Sequence, residues 1–575
     1  MAVHQPDDIH ALLMQRRVEL SAKPGAQGLW QNPRSTAICF FASLGGLVYG
    51  YNQGMFGQVL SMTNTFGETS GIVGIQDATL SGFVTAILEL GAWVGVLANG
   101  ILADWLGRKR CVAVAVFFFT IGVIIQAVVN SGDPSYIYGG RFITGLGVGS
   151  LSMIVPLYNA ELAPPETRGA LVAVQQLAIT FGIMISYWIT YGTNYIGGTG
   201  PGQSDAAWLI PICIQLVPAF ILGFGMYFMP QSPRWLIDVG KDDECLHVIA
   251  RLRTKPVDHP LVQMEFLELK AQKTLETRMS QHDFPHLQDG SRKSNFLLNV
   301  EGYKSLFTNR ANLKRTSVAV LTMLFQQWNG INFVLYFAPF IFASVGLDGN
   351  TTSLLASGVV GIVQFLATIP AVLFADKVGR KPLLISGAIV MGICHFIVAA
   401  IIAQFQGPLN DQGLPVVTNR SAGWAAVVFI WIFSIGFGFS WGPCAWVVVS
   451  EVFPLGLRAK GVSIGASSNW LNNFAVAMST LEFLKAAPYG AYIFLGLMCF
   501  LGVAYIAIFV PETKNKTLDE IAVCFGDKSG RSVRETQMLE QAYAEVGLFD
   551  AAGISLPKSY SHDSGEGEKP QAFKE

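Results

Sequence analysis

A chain of 575 residues that is 51% hydrophobic and only 13% charged, with a mean hydropathy of +0.43, is too apolar to be an ordinary soluble multidomain protein. Its net charge of −1 excludes the strongly basic surface that nucleic-acid binding requires. Apolar runs of about 20 residues recur, each long enough to cross ~30 Å of hydrocarbon as a helix, so the sequence predicts an all-α polytopic membrane protein.

Residues 1–35 are polar and lack an apolar core followed by a small-residue cleavage site, so they read as a cytosolic segment and the first span directs insertion. Twelve spans follow, near 36–58, 79–102, 110–130, 136–158, 170–192, 207–228, 315–342, 352–374, 382–404, 423–446, 462–482 and 489–510. They are numbered 1 to 12 below. Span 1 carries YGYNQGMFG (49–57), which sets Asn52 and Gln53 in an apolar run and spaces Gly46, Gly50, Gly54 and Gly57 closely along one helix. Residues 229–314, charged and helix-prone, read as a cytosolic linker with amphipathic helices between two six-span halves, 36–228 and 315–510. Residues 511–575 read as a cytosolic tail, and the Ser, Gly, Glu and Lys of 526–575 predict that it is mostly disordered.

Lys and Arg alternate by side. GRKR (107–110), TRG (167–169), the segment 231–315, DKVGRK (376–381) and LRAKG (457–461) share one face, while the opposite loops carry almost only Arg420 and Lys485. The positive-inside rule makes the rich side cytosolic and puts both termini inside; the membrane expected for the protein is the plasma membrane. The sequons Asn350-Thr351-Thr352 and Asn419-Arg420-Ser421 then fall outside, where Asn350 and Asn419 are candidate glycosylation sites, and Asn515-Lys516-Thr517 falls inside. Of the eight cysteines none lies in an external loop, so no disulfide framework is expected.

The halves repeat. Gly100-x-x-x-Asp104-x-x-Gly107-Arg108-Lys109 returns as Asp376-x-x-Gly379-Arg380-Lys381, and Glu161 to Arg168 (ELAPPETR) returns as Glu451 to Arg458 (EVFPLGLR). Repeated halves with a site between them are the architecture of secondary transporters. Asp104, Arg108, Glu161, Arg168, Asp376, Arg380, Glu451 and Arg458 are placed to pair at helix ends on the cytosolic side and so to bias a two-state gate. The plainer reading is helix-end solvation and topology marking.

Polar residues inside spans are costly in hydrocarbon and tend to face a cavity. Here they are neutral amides: Gln176, Gln326, Gln327, Asn332, Gln364 and Asn469. Amides both donate and accept, as sugar hydroxyls do, and Tyr49, Tyr336, Phe337, Trp446 and Trp470 offer aromatic faces to the C–H side of a pyranose. For an isolated Gln, hydrogen bonding between helices is the preferred explanation, whereas the cluster Gln326, Gln327 and Asn332 points to the site. No nucleophile–base pair or metal-ligand spacing appears, so neither an enzyme, a metal nor a cofactor is expected.

These motifs, with PLYNAELAPPETRG (156–169), PQSPRWL (230–236), QQWNGINFVLYFAP (326–339), SWGPCAWVVVSEVFP (440–454) and PETKNKTLDEI (511–521), resemble the sugar-porter family of the major facilitator superfamily, the fungal hexose transporters among them. The resemblance covers about 36–521 and implies two six-helix bundles that rock about a central sugar. It also implies that Gln176 with Ile179, Gln326, Gln327, Asn332, Gln364, Trp446, Asn469 and Trp470 hold the sugar, and that Gly442-Pro443 loosens span 10. Gln231 departs from the family's usual Glu, Phe337 from a frequent Tyr, and Ile183 from an occasional Gln.

Proton-coupled members of the family typically carry Asp at the position of Asn52, facing an Arg in span 4, here Arg141. Asn cannot titrate, as in the facilitative glucose transporters of animals, so facilitated diffusion of a hexose such as glucose, or a pentose, is the expected activity. Glu89 in span 2 lies outside the family pattern, and three roles are open to it: pairing with Arg141, titrating as an alternative proton coupler, or bonding helices together. Transport of quinate or another polyol, and sugar sensing without transport, are the other readings. The expected partners are a sugar, the lipid bilayer and, for the symport reading, a proton, with the protein acting as a monomer.

Overall fold

A computed structural model describes residues 6–20, 26–62, 78–129, 135–200, 202–287, 291–346, 350–409, 414–454, 457–514, 524–525 and 531–554. Ten helical stretches among them are long and apolar enough to cross a bilayer. The other two expected spans are present as helices of a different character. Span 1 is broken into Pro33–Ala42 and Leu44–Leu60, and span 11, Arg458–Ala486, is long but polar. Their asparagines, glutamines and serines are turned toward the rest of the molecule, which is why hydropathy is low where lipid contact is least.

Four spans are interrupted, and proline explains two of the local geometries. In span 10 the helices Arg420–Phe439 and Trp441–Glu451 meet at Ser440 (φ −129°, ψ −85°). Pro443, having no N–H, leaves the carbonyl of Phe439 four residues back without its helical donor. Span 7 consists of Arg310–Trp328 and Ile331–Ser344, separated at Gly330 (φ +97°), a left-handed backbone that favours glycine. Further along, Pro339 deprives the Leu335 carbonyl of its partner, and the Tyr187 hydroxyl from span 5 donates to it instead at 2.6 Å. The backbone at Phe337 leaves the helical region there. Span 6 breaks at Gln215, between Ala206–Ile214 and Leu216–Met226.

The two halves meet where spans 2 (Ala78–Leu106) and 11 pack along one another, where span 5 (Arg168–Thr193) meets span 8 (Asn350–Val378), and where span 1 meets span 7. Gly57 makes the last approach possible: a Cβ there would lie 1.7 Å from the Tyr336 carbonyl oxygen. Gly50 does the same inside the first half, against the carbonyl of Ile179. Span 3 (Arg108–Ala127) and span 4 (Ser135–Leu162) complete the first half, and span 9 (Arg380–Phe405) and span 12 (Pro488–Phe509) the second. A two-stranded ribbon, Gln406–Leu409 with Pro415–Val417, links spans 9 and 10.

The linker forms helices Pro233–Asp238, Asp242–Arg253, Pro260–Asp283 and Arg292–Thr308, with Ser232, His259 and Ser291 accepting from the first free amides of three of them. The tail corrects the expectation of disorder over its described part: Arg531–Glu545 is helical and Leu548–Ala551 follows it. Met538, Ala542 and Tyr543, then Val546, recur at three- and four-residue spacing, an apolar stripe that composition alone conceals. Leu548, Phe549 and Ala552 bury themselves against Met264 of the linker and Leu13 of the N-terminal helix Pro6–Leu20, and Arg278 pairs with Glu545 at 2.5 Å. Arg17 pairs with Glu268 at 2.8 Å. Of the tail, residues 515–523, 526–530 and 555–575, Asn515 among them, lie outside the described residues.

Candidate functional site

The break in span 7 aims its polar residues. Asn332 and Tyr336 lie one turn apart on the second segment, so they share a face, and Asn469 and Asn473 do the same on span 11. His395 of span 9 steadies the break, its Nε2 lying 2.9 Å from the Asn329 carbonyl oxygen while its ring packs on Phe433 and Tyr492. That gives a structural function to a histidine with no ionisable neighbour in sequence.

Two hydrogen-bonded groups result. In the first, Gln326 donates to the Trp441 carbonyl exposed beside the span 10 break (2.8 Å) and accepts from Asn469 (2.6 Å). Gln176 reaches the same place from span 5, 3.3 Å from where a Cβ on Gly442 would lie. In the second, Asn332 donates to Gln327 (2.5 Å) and to Asn473 (2.9 Å), and Gln53 of span 1 donates to Asn332 (3.0 Å) and Tyr336 (3.1 Å). Asn473 donates to Tyr336 (2.9 Å) and to Glu89 Oε2 (3.0 Å), and the Tyr336 hydroxyl donates to Glu89 Oε1 (2.8 Å). Gln53 and Glu89 belong to the first half of the chain, the rest to the second, so this group crosses between the halves. Tyr49 and Trp470 face each other beside it, 5.3 Å between ring centroids, and the indole donates to Ser152 of span 4 at 3.2 Å.

Of the expected sugar-site residues, Gln326, Gln327, Asn332, Tyr336, Asn469, Trp470 and Tyr49 come together, with Gln176 adjacent. Gln364 does not join them and its Oε1 is buried without a partner. Trp446 is half-buried outside the network, and Ile179 contributes its backbone against Gly50. Three amides that the sequence reading did not assign to the site matter: Gln53, noted only as a polar residue of span 1, Asn473 and Gln215. Asn473 stands four residues beyond Asn469, a helical repeat that would have found it.

The charge arrangement differs from a simple pairing. Arg141 is buried, donating to the carbonyls of Val84 (2.6 Å) and Thr85 (3.0 Å), with its guanidinium carbon 3.4 Å from the Phe56 ring centroid. No hydrogen bond joins Asn52 to it, and Asn52 Oδ1 and Arg141 Nη1 are both buried without a partner among the described residues. The Asn52 amide donates instead to Gln215 at the break of span 6 (2.8 Å), an amide pair in place of a bond between Asn52 and Arg141. Nor does Glu89 form an ion pair with Arg141: its two oxygens accept from Tyr336 and Asn473. Depth along a helix can be counted from sequence, but the direction around its axis cannot, and Glu89 points to the other half.

At the linker face the repeated motifs give repeated pairs. Arg108 binds Glu161 (2.9 Å) and Asp104 (3.4 Å), and Arg380 binds Glu451 (3.0 Å), each within one half of the molecule. Arg168 and Arg458 do not take these partners. Glu512 accepts from the amides of Arg380 (3.1 Å) and Lys381 (3.0 Å). Its counterpart Gln231 leaves Oε1 buried and unpartnered. The side chains of Asp376 and Asn350 lie outside the described residues. Asn419 is exposed, its Oδ1 capping span 10 through the amide of Ala422.

The sequence pattern of the sugar (and other) transporter family matches residues 38–525. Among similar proteins, the high-affinity glucose transporter 1 of Candida albicans is 33% identical over 77% of this chain and 77% of its own. The quinate permease of Emericella nidulans is 29% identical over 91% and 96%. Among solved structures, the proton:xylose symporter XylE superposes with a TM-score of 0.65 at 27% identity, over 86% of this chain and 99% of its own. With a broken-helix site between two repeated halves and a family match across most of its length, the chain is a sugar transporter, not an enzyme, and belongs to the sugar-porter family of the major facilitator superfamily.

Proposed function

We propose that the protein carries a neutral hexose such as glucose across the plasma membrane by facilitated diffusion, the two halves alternately opening the site to either side. The observation that carries this reading is the pair of amide groups, Gln326 with Asn469 and Gln327 with Asn332 and Gln53, built of groups that match sugar hydroxyls without a fixed positive charge. Asn52 with Gln215 in place of a carboxylate facing Arg141 supports uniport. A quinate-like acid fits less well, because the Nε, Nη2 and face of Arg141 are taken by Val84, Thr85 and Phe56, with only Nη1 left unpartnered. The linker and both termini are assigned to the cytosol by the positive-inside rule, Asn419 to an external glycosylated loop, and the working unit to a monomer.

One observation favours a second reading, proton symport: Glu89 is buried with neutral hydrogen-bond donors and no ion pair, as a carboxylate exchanging a proton would be. Glucose uptake into proteoliposomes, with and without an inward proton gradient, separates the two. Uniport predicts equilibration that a protonophore leaves unchanged; concentrative uptake abolished by the protonophore establishes symport. Competition by xylose, inositol and quinate ranks the substrates.

A further inference from the structure

An amide or a hydroxyl can donate or accept, so the direction of a chain of such groups is set by a member that does only one. The group that joins the two halves contains one such member, the carboxylate of Glu89. Tyr336 Oη accepts from Gln53 at 3.1 Å and from Asn473 at 2.9 Å, which occupies its two lone pairs and leaves its single proton for Glu89 Oε1 at 2.8 Å. The other Asn473 hydrogen goes to Glu89 Oε2 at 3.0 Å. With its nitrogen committed, Asn473 presents its oxygen to Asn332 at 2.9 Å, and the second Asn332 hydrogen goes to Gln327 at 2.5 Å. That leaves the Asn332 oxygen to accept from Gln53 at 3.0 Å. Each orientation follows from the one before, beginning at Glu89.

We propose that Glu89 is a positioning residue: it fixes the orientation of the amides that hold the sugar, acting through Tyr336 and Asn473. It also makes that orientation conditional on closure, because Glu89 stands on span 2 whereas Tyr336 and Asn473 stand on spans 7 and 11. When the halves part at this level the acceptor withdraws, and the amides become free to turn toward sugar hydroxyls or water. When the halves meet, they return to one arrangement. The proposal rests on the sugar-transport reading above and adds to it the residue that orders the site.

The test exploits isosteres. Glu89→Gln keeps the volume but replaces one acceptor by a donor, so that Tyr336 or Asn473 must turn away. In proteoliposomes with equal amounts of folded protein, verified by monodisperse elution, KM for glucose exchange is expected to rise about tenfold, equivalent to ~1.4 kcal/mol, with a smaller change in the maximal rate. Glu89→Asp, which retains the acceptor-only character, recovers most of that loss. Tyr336→Phe raises KM alone, and adds little on top of Glu89→Gln because the hydroxyl's orientation is already lost. The idea is overturned by an unchanged KM in Glu89→Gln, by Glu89→Asp performing no better than Glu89→Gln, or by fully additive effects. Should Glu89→Gln not fold, Tyr336→Phe decides, since it keeps the ring packing and the carboxylate; an unchanged KM there overturns the proposal. Absence of saturable glucose exchange by the unaltered protein would instead remove the functional reading itself.

Discussion

The middle of the molecule and its linker face hold their helices together by different chemistry. In the middle the two halves touch through neutral amides, one carboxylate with neutral donors, and backbone approaching backbone at Gly57. At the linker face Arg108 with Glu161 and Arg380 with Glu451 are charge pairs, and each lies inside a single half. A neutral hydrogen bond contributes only about 0.5–1.5 kcal/mol net once water can replace its partner. Parting a buried ion pair costs several times more. On the alternating-access reading proposed above, the contacts that part in a cycle would be the inexpensive ones, and the costly ones would stay closed inside each half.

The largest effect expected from breaking this division is at Gly57. In Gly57→Val the Cβ alone would occupy the position of the Tyr336 carbonyl oxygen, 1.7 Å away, so spans 1 and 7 cannot meet while each half still folds. Initial glucose uptake into proteoliposomes should fall at least about a hundredfold, corresponding to a closed arrangement destabilised by ~3 kcal/mol. Retention of more than half the uptake would show that this contact is not needed in the cycle.

The charge pairs should behave oppositely, affecting stability before transport. Arg108 and Glu161 are 5% and 6% exposed, whereas Arg380 and Glu451 are 12% and 29% exposed. Glu161→Ala leaves the buried Arg108 guanidinium only the exposed Asp104 and the Ala103 carbonyl and should cost about 3 kcal/mol, the low end for a broken buried pair, whereas Glu451→Ala leaves a wetter site and should cost less than half of that. Thermal unfolding in detergent ranks the two, and equal shifts in Tm would remove the distinction drawn from burial.

A third kind of contact joins the N-terminal helix to the linker, and it depends on pH. Burial pushes the Glu268 carboxyl up to about 7, against the pull of Arg17 and with Glu265 adding to the rise. A carboxyl whose value is higher in the folded chain than in the unfolded one binds protons more tightly when folded, so its contribution to stability is fully present below about 4.5 and is lost as pH rises through about 7. Thermal unfolding in detergent should accordingly give a lower Tm at pH 8 than at pH 6, and Glu268→Gln should flatten that part of the dependence. A Tm difference that Glu268→Gln leaves unchanged would contradict it.

Much of this arrangement was legible in the sequence, and the failures have physical causes. Gln326, Gln327, Asn332 and Asn469 stood out because an amide in an apolar window has few reasons to be there. The same logic applied to Gln215 and Gln53, yet only the break at Gln215 and the closeness of spans 1 and 7 gave them partners. Gln126 shows the limit of the rule: it too is a buried amide, but it bonds Thr144 of the neighbouring span at 2.7 Å and lines no site. Glu89 was conspicuous as a charge, whereas its orientation toward Tyr336 depends on helix azimuth, which no single sequence fixes. The tail misled because its overall composition hid a fifteen-residue stretch, Arg531–Glu545, with apolar residues at helical spacing.

The smallest expected effect sharpens the comparison between the two repeated corners. Glu512 follows span 12 as Gln231 follows span 6, in PET and PQS respectively. Glu512 accepts the free amides of Arg380 and Lys381 at the start of span 9, and those bonds, with the amide of Lys514, hold its carboxyl below the usual range in spite of its burial. Gln231 has a buried Oε1 with nothing to accept, and span 3 opens with Arg108 and Lys109 in the same sequence register. An anionic group at a helix N-terminus contributes about 0.3–1 kcal/mol. Gln231→Glu should therefore raise Tm by a degree or two, on the order expected for a chain of this size, and Glu512→Gln should lower it similarly. If Gln231→Glu is neutral while Glu512→Gln destabilises, the two corners differ in backbone geometry and not merely in the residue that caps them.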